Sequence, residues 1–149
     1  PLFLHERAAG DDFYAMMRAA GPENCARAVV HCFTGSARDL ERYLSLGCSI
    51  GVTGWLCDER RGEELRALAP HIPLERLMVE TDAPYLTPRS LRPKPKKGRN
   101  EPSTLPHIAH TLASLRDEEP EALWRATTHN AARLFGLEGL NAHPTEVGR

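Results

Sequence analysis

The stretch RAVVHCFTGS, residues 27–36, combines an apolar run with a turn and a residue that can begin a helix. Its apolar residues are consecutive rather than alternating, which is typical of a parallel strand buried on both faces. Ser36, with Asp39 three residues later, is typical of a capping box at the start of a helix. The apolar residues that follow recur at helical spacing up to Gly47. This part of the chain therefore predicts one strand followed by one amphipathic helix.

The same order of strand and helix is predicted along the first half of the chain. Amphipathic stretches lie between the apolar runs and end at glycine or proline, the first of them at Gly21 and Pro22. The predicted strands are Pro1–Leu4, Arg27–Cys32, Cys48–Val52 and Arg76–Val79. This alternation is typical of βαβ units, so we expect a parallel sheet with right-handed crossovers.

The second half of the chain begins with a long basic loop, Ala83–Pro106. Six of the 12 prolines lie in this loop, and six lysines and arginines lie between residues 89 and 99. Its composition predicts a semi-rigid loop rather than a helix or a strand. After the loop we expect Ser103 to cap a helix and Pro120 to open another. A last stretch, His129–Phe135, is expected to stop at Gly136.

Composition and length limit the classes of protein to which the chain can belong. It has 149 residues, a formal net charge of −1, 41% hydrophobic residues and 26% charged residues, which is a globular composition. The sequence has no run of about 18 consecutive apolar residues, so a membrane-spanning helix is not predicted. It also has no charged segment leading into an apolar run, so a signal peptide is not predicted. A complete (β/α)₈ barrel usually needs about 250 residues, so this length does not suit one.

The four cysteines argue against two further classes. Cys25, Cys32, Cys48 and Cys57 include no Cys-x-x-Cys pair, which disfavours a zinc ribbon. A disulfide framework is not expected at this size, so we expect buried, reduced thiols. Together with the lack of an export signal, this predicts a cytoplasmic protein.

Polar residues lie where the predicted strands end. His5, His31 and Asp82 come from three different βα units. The carboxyl ends of parallel strands form one edge of the sheet, where α/β proteins bind their ligands. Imidazole and carboxylate are ligands of Zn²⁺, Mn²⁺ and similar ions, so these residues predict a divalent metal site. The alternative is that each side chain only makes structural hydrogen bonds.

Two motifs of six or more residues lie at these strand ends, His31–Ser36 and Glu80–Leu86. Both resemble signatures of the TatD-family metal-dependent deoxyribonucleases. His5-Glu6-Arg7 is similar to that family's His-x-Arg at a strand end. Further similar motifs are Gly51–Trp55, Cys57–Gly62, Arg99–Pro102 and Leu134–Gly136. The similar motifs occur in the family's order from Pro1 to about Leu137.

The resemblance implies an α/β fold that is the C-terminal half, four βα units, of a TIM-type (β/α)₈ barrel of the metal-dependent hydrolase superfamily. Residues 1–137 would correspond to strands five to eight of that barrel, and residues 138–149 would form a short polar tail. The implied function is a deoxyribonuclease that hydrolyses phosphodiester bonds, as an exonuclease on single-stranded DNA. We expect this half alone to be weak or inactive.

The resemblance also implies roles for individual residues. His5, His31 and Asp82 fall on metal-ligand positions, and Asp82 would also act on the attacking water. The ions would be divalent (Mg, Mn or Zn), two in the complete enzyme, where a pair can stabilise both oxygens of a displacement. Glu80, two residues before Asp82 on a strand, is expected to be either a carboxylate that supports the ligands or a structural one.

The basic loop predicts contacts with DNA. Lysine and arginine side chains bind the phosphate backbone in a salt-dependent way that tolerates any sequence. The candidate substrate-binding residues are Arg7, Lys94, Lys96, Lys97 and Arg99. The alternative is an ordinary solvated loop.

A half barrel would leave two open strand edges, which invite pairing or aggregation. We therefore expect that closing the barrel needs either the missing N-terminal half or a second copy of the chain. Two alternative functions remain open at this point. One is a half barrel that binds nucleic acid without cutting it, and the other is an amidohydrolase-type enzyme acting on a small molecule.

Overall fold

The computed structural model describes residues 1–137, and at its centre lies one sheet of four parallel strands. The strands lie side by side in chain order: β1 (Leu2–His5), β2 (Ala28–His31), β3 (Ser49–Val52) and β4 (Leu77–Val79). This confirms the predicted parallel sheet, in which β1 and β4 are the edge strands. The polar tail predicted over residues 138–149 lies outside the described residues.

Six α-helices connect or follow the strands within residues 1–137. They are α1 (Gly10–Ala20), α2 (Pro22–Ala26), α3 (Ala37–Ser45), α4 (Glu63–Leu68), α5 (Leu105–Arg116) and α6 (Pro120–Phe135). Short 3₁₀ turns occupy Gly54–Cys57, Ala69–His71, Leu74–Arg76, Lys96–Gly98 and Pro102–Thr104. In this part of the chain, no helix has both the length and the apolar character needed to cross a membrane.

The start of α3 confirms the capping box. The hydroxyl oxygen of Ser36 accepts a hydrogen bond from the backbone N–H of Asp39 at 3.3 Å. The Asp39 carboxylate accepts one from the backbone N–H of Ser36 at 3.0 Å. Two of the N–H groups that a helix start leaves unpaired are thereby satisfied.

Four local predictions were wrong or incomplete. Pro22 begins α2 instead of only ending α1, because the fixed φ of proline suits the first position of a helix. Ser103 caps nothing, since it lies inside the 3₁₀ turn that precedes α5. His129–Phe135 is the second half of α6, because no glycine or proline interrupts that helix. His5 is the last residue of β1 rather than the residue after it, since it pairs with His31.

The two faces of the sheet have different surroundings. Val30, Ile50 and Leu77 point toward the helices and are fully buried in the core with side chains such as Leu40 and Leu112. Side chains alternate between the faces of a strand, so the intervening residues lie on the other face. We call it the ligand face; on β1 it carries Phe3, which is 56% exposed, and His5.

The basic loop contains no strand or α-helix between β4 and α5, as predicted, but it is firmly anchored. The buried side chain of Asn100 donates a hydrogen bond to the carbonyl of Tyr85 at 2.7 Å and accepts one from the Thr104 hydroxyl at 2.8 Å. At Gly54, a Cβ atom would overlap the carbonyl oxygen of Leu86. The loop therefore packs directly against the segment that follows β3.

The four cysteines are free thiols, and all are buried. This confirms the expectation of reduced core residues. Burial raises the pKa of the Cys48 thiol to about 12, so it stays protonated and unreactive near neutral pH.

Candidate metal centre

The predicted ligands lie at the carboxyl end of the sheet, but they are not equally close. The Nε2 atom of His31 lies 3.4 Å from the Oδ1 atom of Asp82. His5 pairs with His31 in the register of β1 and β2, and the two ring centroids are 5.8 Å apart. The structure therefore brings His31 and Asp82 together and places His5 beside them at the edge of the sheet.

His31 and Asp82 fit part of a divalent metal site. An imidazole nitrogen and a carboxylate oxygen are adjacent, and the two side chains are 14% and 39% exposed, so a cation can reach them. However, no group of three histidine, cysteine, aspartate or glutamate side chains is positioned to hold a metal among the described residues. The donor chemistry present is thus that of an incomplete site.

Glu80 holds the other side of the His31 ring. Its Oε1 atom lies 2.8 Å from Nδ1 of His31 and accepts a hydrogen bond from the backbone N–H of Cys32 at 2.6 Å. The Nδ1 atom is buried, and the Glu80 carboxylate lies at hydrogen-bond distance from it. This proximity raises the pKa of His31 above its ordinary 6.5, although burial of the ring opposes the shift.

A carboxylate on one ring nitrogen is the arrangement that orients metal-binding histidines. With a proton on Nδ1 facing Glu80, the lone pair of His31 would lie on Nε2, toward Asp82. The geometry is compatible with the first of the two roles expected for Glu80, and the side chain that it would support is the candidate ligand His31.

Two features around Glu80 were missed by the sequence analysis. Gly51 leaves the space that the carboxylate occupies, because a Cβ atom there would lie 2.5 Å from Oε1 of Glu80. Cys32 has a φ of 49°, a left-handed conformation that is rare for residues other than glycine. Residues held in such conformations cluster at functional sites. A glycine inside a strand was the available signal for the close approach.

Glu6 and Arg7 have separate roles beside β1. The buried Glu6 carboxylate accepts hydrogen bonds from the backbone N–H of Ala9 at 2.6 Å and from the Tyr43 hydroxyl at 3.2 Å. Burial together with this carboxylate raises the pKa of Tyr43, so the phenol remains a donor. Glu6 is therefore structural, while Arg7 is exposed at the same end of the sheet as His5.

The four predicted cations of the basic loop do not all line the same cavity. Lys94 lines a cavity of about 360 Å³ together with Arg60, Arg89 and Arg92, which we call the arginine pocket. Lys96 and Arg99 line a second cavity of about 340 Å³ that also contains Glu101. Lys97, at a φ of 58°, lines neither. Sequence analysis missed the contribution of Arg60, which comes from a different segment.

Comparison with known proteins gives a consistent result. The family model described as TatD related DNase matches residues 1–136. A relative from Erwinia billingiae, named 3'-5' ssDNA/RNA exonuclease TatD, is 57% identical over 137 residues, which are 92% of this chain and 52% of the relative. A relative of the same name from Rahnella is 54% identical over 137 residues, again 92% of this chain and 52% of the relative. The chain therefore spans about half the length of the curated relatives that it matches.

A solved structure agrees with the sequence matches. The crystal structure of YJJV, a TatD homolog from Escherichia coli, superimposes with a TM-score of 0.78 at 29% identity and covers 91% of this chain and 50% of that protein. The match confirms the predicted fold, four βα units of a TIM-type barrel. The chain belongs to the TatD related DNase family, and its described residues form about half of the family's barrel.

Proposed function

We propose that this chain forms part of a metal-dependent nuclease that hydrolyses phosphodiester bonds in single-stranded nucleic acid. The observation that carries the proposal is the His31–Asp82 pair, with His31 held from behind by Glu80. The names of the relatives extend the expected substrate from DNA to DNA or RNA and favour cleavage from the 3' end.

His5, His31 and Asp82 would hold divalent cations, Mg²⁺, Mn²⁺ or Zn²⁺, with two ions in the complete enzyme. When bound, such ions supply stabilisation for the charge that develops on phosphate oxygens. No group of three such side chains is positioned to hold one ion among the described residues, so further ligands would come from outside them.

The protein groups would divide the other tasks. Asp82 is partly exposed, so its carboxylate can orient the attacking water and accept its proton. Glu80 would keep the Nε2 atom of His31 directed at the reacting centre. Arg7, Lys94, Lys96, Lys97 and Arg99 would contact phosphates of the strand.

The activity would depend on barrel closure. β1 and β4 are both edge strands, and the ligand face is partly exposed. Either the N-terminal half of the barrel or a second copy of the chain would pair with these edges. We also propose a cytoplasmic location, which cell fractionation would test.

The test compares this chain alone with the chain fused to the N-terminal half of the Erwinia billingiae relative. Both are incubated with labelled single-stranded DNA or RNA and Mg²⁺ or Mn²⁺. We expect ladder-like shortening by the fusion, little or none by the chain alone, and loss of activity in the Asp82→Ala fusion. Cleavage that survives Asp82→Ala unchanged contradicts the proposal. Metal-independent binding without cleavage would instead indicate a binding module, and hydrolysis of amides or esters alone would indicate a small-molecule hydrolase.

A further inference from the structure

The arginine pocket lies between two segments that leave neighbouring strands at their carboxyl ends. One wall is the turn after β3, Cys57–Arg60, and the other is the basic-loop segment Thr87–Gly98. The segments are held together at Gly54, where a Cβ atom would meet the carbonyl oxygen of Leu86 and the ring of Pro88. The pocket is therefore a fixed part of the end of the sheet that carries His31 and Asp82.

The pocket has a strong excess of positive charge. Its lining contains the cations Arg60, Arg89, Arg92 and Lys94, and one acid, Glu59. Arg89 lies 3.9 Å from the carboxylate of Asp58, at the limit of an ion pair. Within residues 1–137, the other three cations have no carboxylate within ion-pair distance. Most of this charge is therefore free to attract an anion.

Both walls that present the arginines are ordered by hydrogen bonds. Asp58 is 3% exposed. Its carboxylate accepts hydrogen bonds from the backbone N–H of Arg60 at 3.0 Å and from that of Arg61 at 3.3 Å. On the other wall, the guanidinium of Arg92 donates to the carbonyls of Arg89 and Leu91, each at 2.8 Å. Thr87 donates to the carbonyl of Gly98 at 2.6 Å and closes the base of the loop. A pocket ordered in advance loses less entropy when it binds an anion.

We propose that the arginine pocket binds a phosphate group of the nucleic-acid strand, away from the bond that is cut. Guanidinium groups match phosphate oxygens with pairs of parallel hydrogen bonds. The volume of about 360 Å³ is at the small end of ligand pockets, and no aromatic side chain from the described part of the chain lines it for a base to stack on. The phosphate subsite rests on the proposed nuclease function, and it would fix the position of the strand relative to Asp82.

The test measures binding rather than cleavage. Fluorescence anisotropy with labelled oligothymidylates of increasing length, in EDTA, compares the 149-residue chain with its Arg89→Ala/Arg92→Ala variant. We expect binding weaker by on the order of tenfold at low salt, and a salt slope of log K smaller by about 0.7 for one lost phosphate contact. The loss should be seen only above the length that reaches the pocket.

Three further variants control for charge and folding. Arg125→Ala removes an exposed arginine of α6 that pairs with Glu121, far from the pocket in sequence, and should bind as the parent does. Glu59→Gln removes the acid of the lining and should tighten binding. Arg89→Lys/Arg92→Lys keeps the charge without the paired geometry and should recover part of the affinity. Circular dichroism checks that each variant is folded.

The outcomes separate this proposal from the nuclease proposal. Equal affinity of Arg89→Ala/Arg92→Ala and Arg125→Ala at every length overturns the phosphate subsite, whether or not the fused barrel cleaves. Length-dependent loss of binding supports the subsite even if cleavage fails, which would overturn only the nuclease. A competition experiment adds inorganic phosphate or an unlabelled long oligonucleotide to the labelled complex. If the two displace the label at the same concentration, the pocket is a free-phosphate site, and the assignment to a strand is overturned.

Discussion

His5 and His31 are the same residue at the same position of neighbouring strands, yet their surroundings differ. His31 lies between two carboxylates, Glu80 at Nδ1 and Asp82 at Nε2, and is mostly buried. His5 is exposed on an edge strand, and no hydrogen bond or ion pair to its side chain occurs among the described residues. Contacts from β4 and the segment that follows it therefore position the candidate ligand His31, whereas the described residues provide no such support for the candidate ligand His5 on β1.

The largest effect is expected at Asp82. In the fused barrel, Asp82→Asn keeps the size of the side chain but removes the carboxylate that would accept a proton from water. We expect cleavage of single-stranded DNA to fall by about 10²–10⁴-fold, measured as the initial rate at saturating Mn²⁺. A fall of less than threefold would show that the His31 side is not the reacting side.

Glu80→Gln tests whether His31 is positioned from behind. We expect Mn²⁺ affinity of the fused barrel, measured by isothermal titration calorimetry, to fall by about 10–100-fold because the imidazole loses its orienting carboxylate. The matched control is Glu6→Gln, which removes a buried carboxylate on the His5 side. That control should lower the midpoint of thermal unfolding without a comparable loss of Mn²⁺ affinity.

Gly51→Ala tests the same contact from the other partner. The added Cβ would lie 2.5 Å from the Glu80 carboxylate, which must move away from His31. We expect Mn²⁺ affinity to fall by about tenfold, toward the lower end of the range for lost supporting contacts. Adding Glu80→Asp shortens the side chain and should relieve the overlap. If Gly51→Ala alone binds Mn²⁺ as the parent does, the close approach has no functional role.

The pH dependence of the metal-free chain tests the contact between Glu80 and His31. The pKa of His31 is raised chiefly by Glu80, so the folded state holds the proton more tightly than the unfolded state does. The resulting stabilisation is complete below the ordinary pKa of 6.5 and is lost as the pH rises through the raised value. NMR titration of the imidazole signals should place the pKa of His31 above 6.5 and return it toward that value in Glu80→Gln.

The smallest effect is expected from Ser36→Ala, which separates stability from site geometry. Loss of the capping box should lower the free energy of unfolding by about 1 kcal/mol, measured by urea denaturation. Mn²⁺ affinity should not change, because α3 contributes no candidate ligand. A large loss of affinity would mean that any destabilisation disturbs the site. The losses of affinity in the Glu80 and Gly51 variants could then not be assigned to the contact between Glu80 and His31.

Local patterns predicted much of the fold. Consecutive apolar residues identified all four strands, because strands of parallel sheets usually carry apolar side chains on both faces. The capping box was also predictable, since its bonds join residues three positions apart. Pro22 and Ser103 were misjudged because both residue types occur at several positions near helix ends, and their neighbours in space decide between those positions.

The candidate site was predicted less completely. His5, His31 and Asp82 could be placed at one edge because strand ends in a parallel sheet share that edge. The contact of Glu80 with His31 depends on the space left by Gly51, which joins residues far apart in sequence. Arg60, from another segment, lines one cavity with Lys94, whereas Lys96 and Arg99 line a second cavity, and this grouping does not follow from charge counting.

The position of His5 on an edge strand has a thermodynamic consequence. A chain that pairs with β1 would contact the strand that carries the candidate ligand His5, so assembly of the barrel and metal binding would be linked equilibria. A cation bound by ligands from both sides would raise the association constant of the two halves by the same factor by which association raises the affinity for the cation. Metal concentration would then control the fraction of closed barrels as well as the fraction of loaded sites.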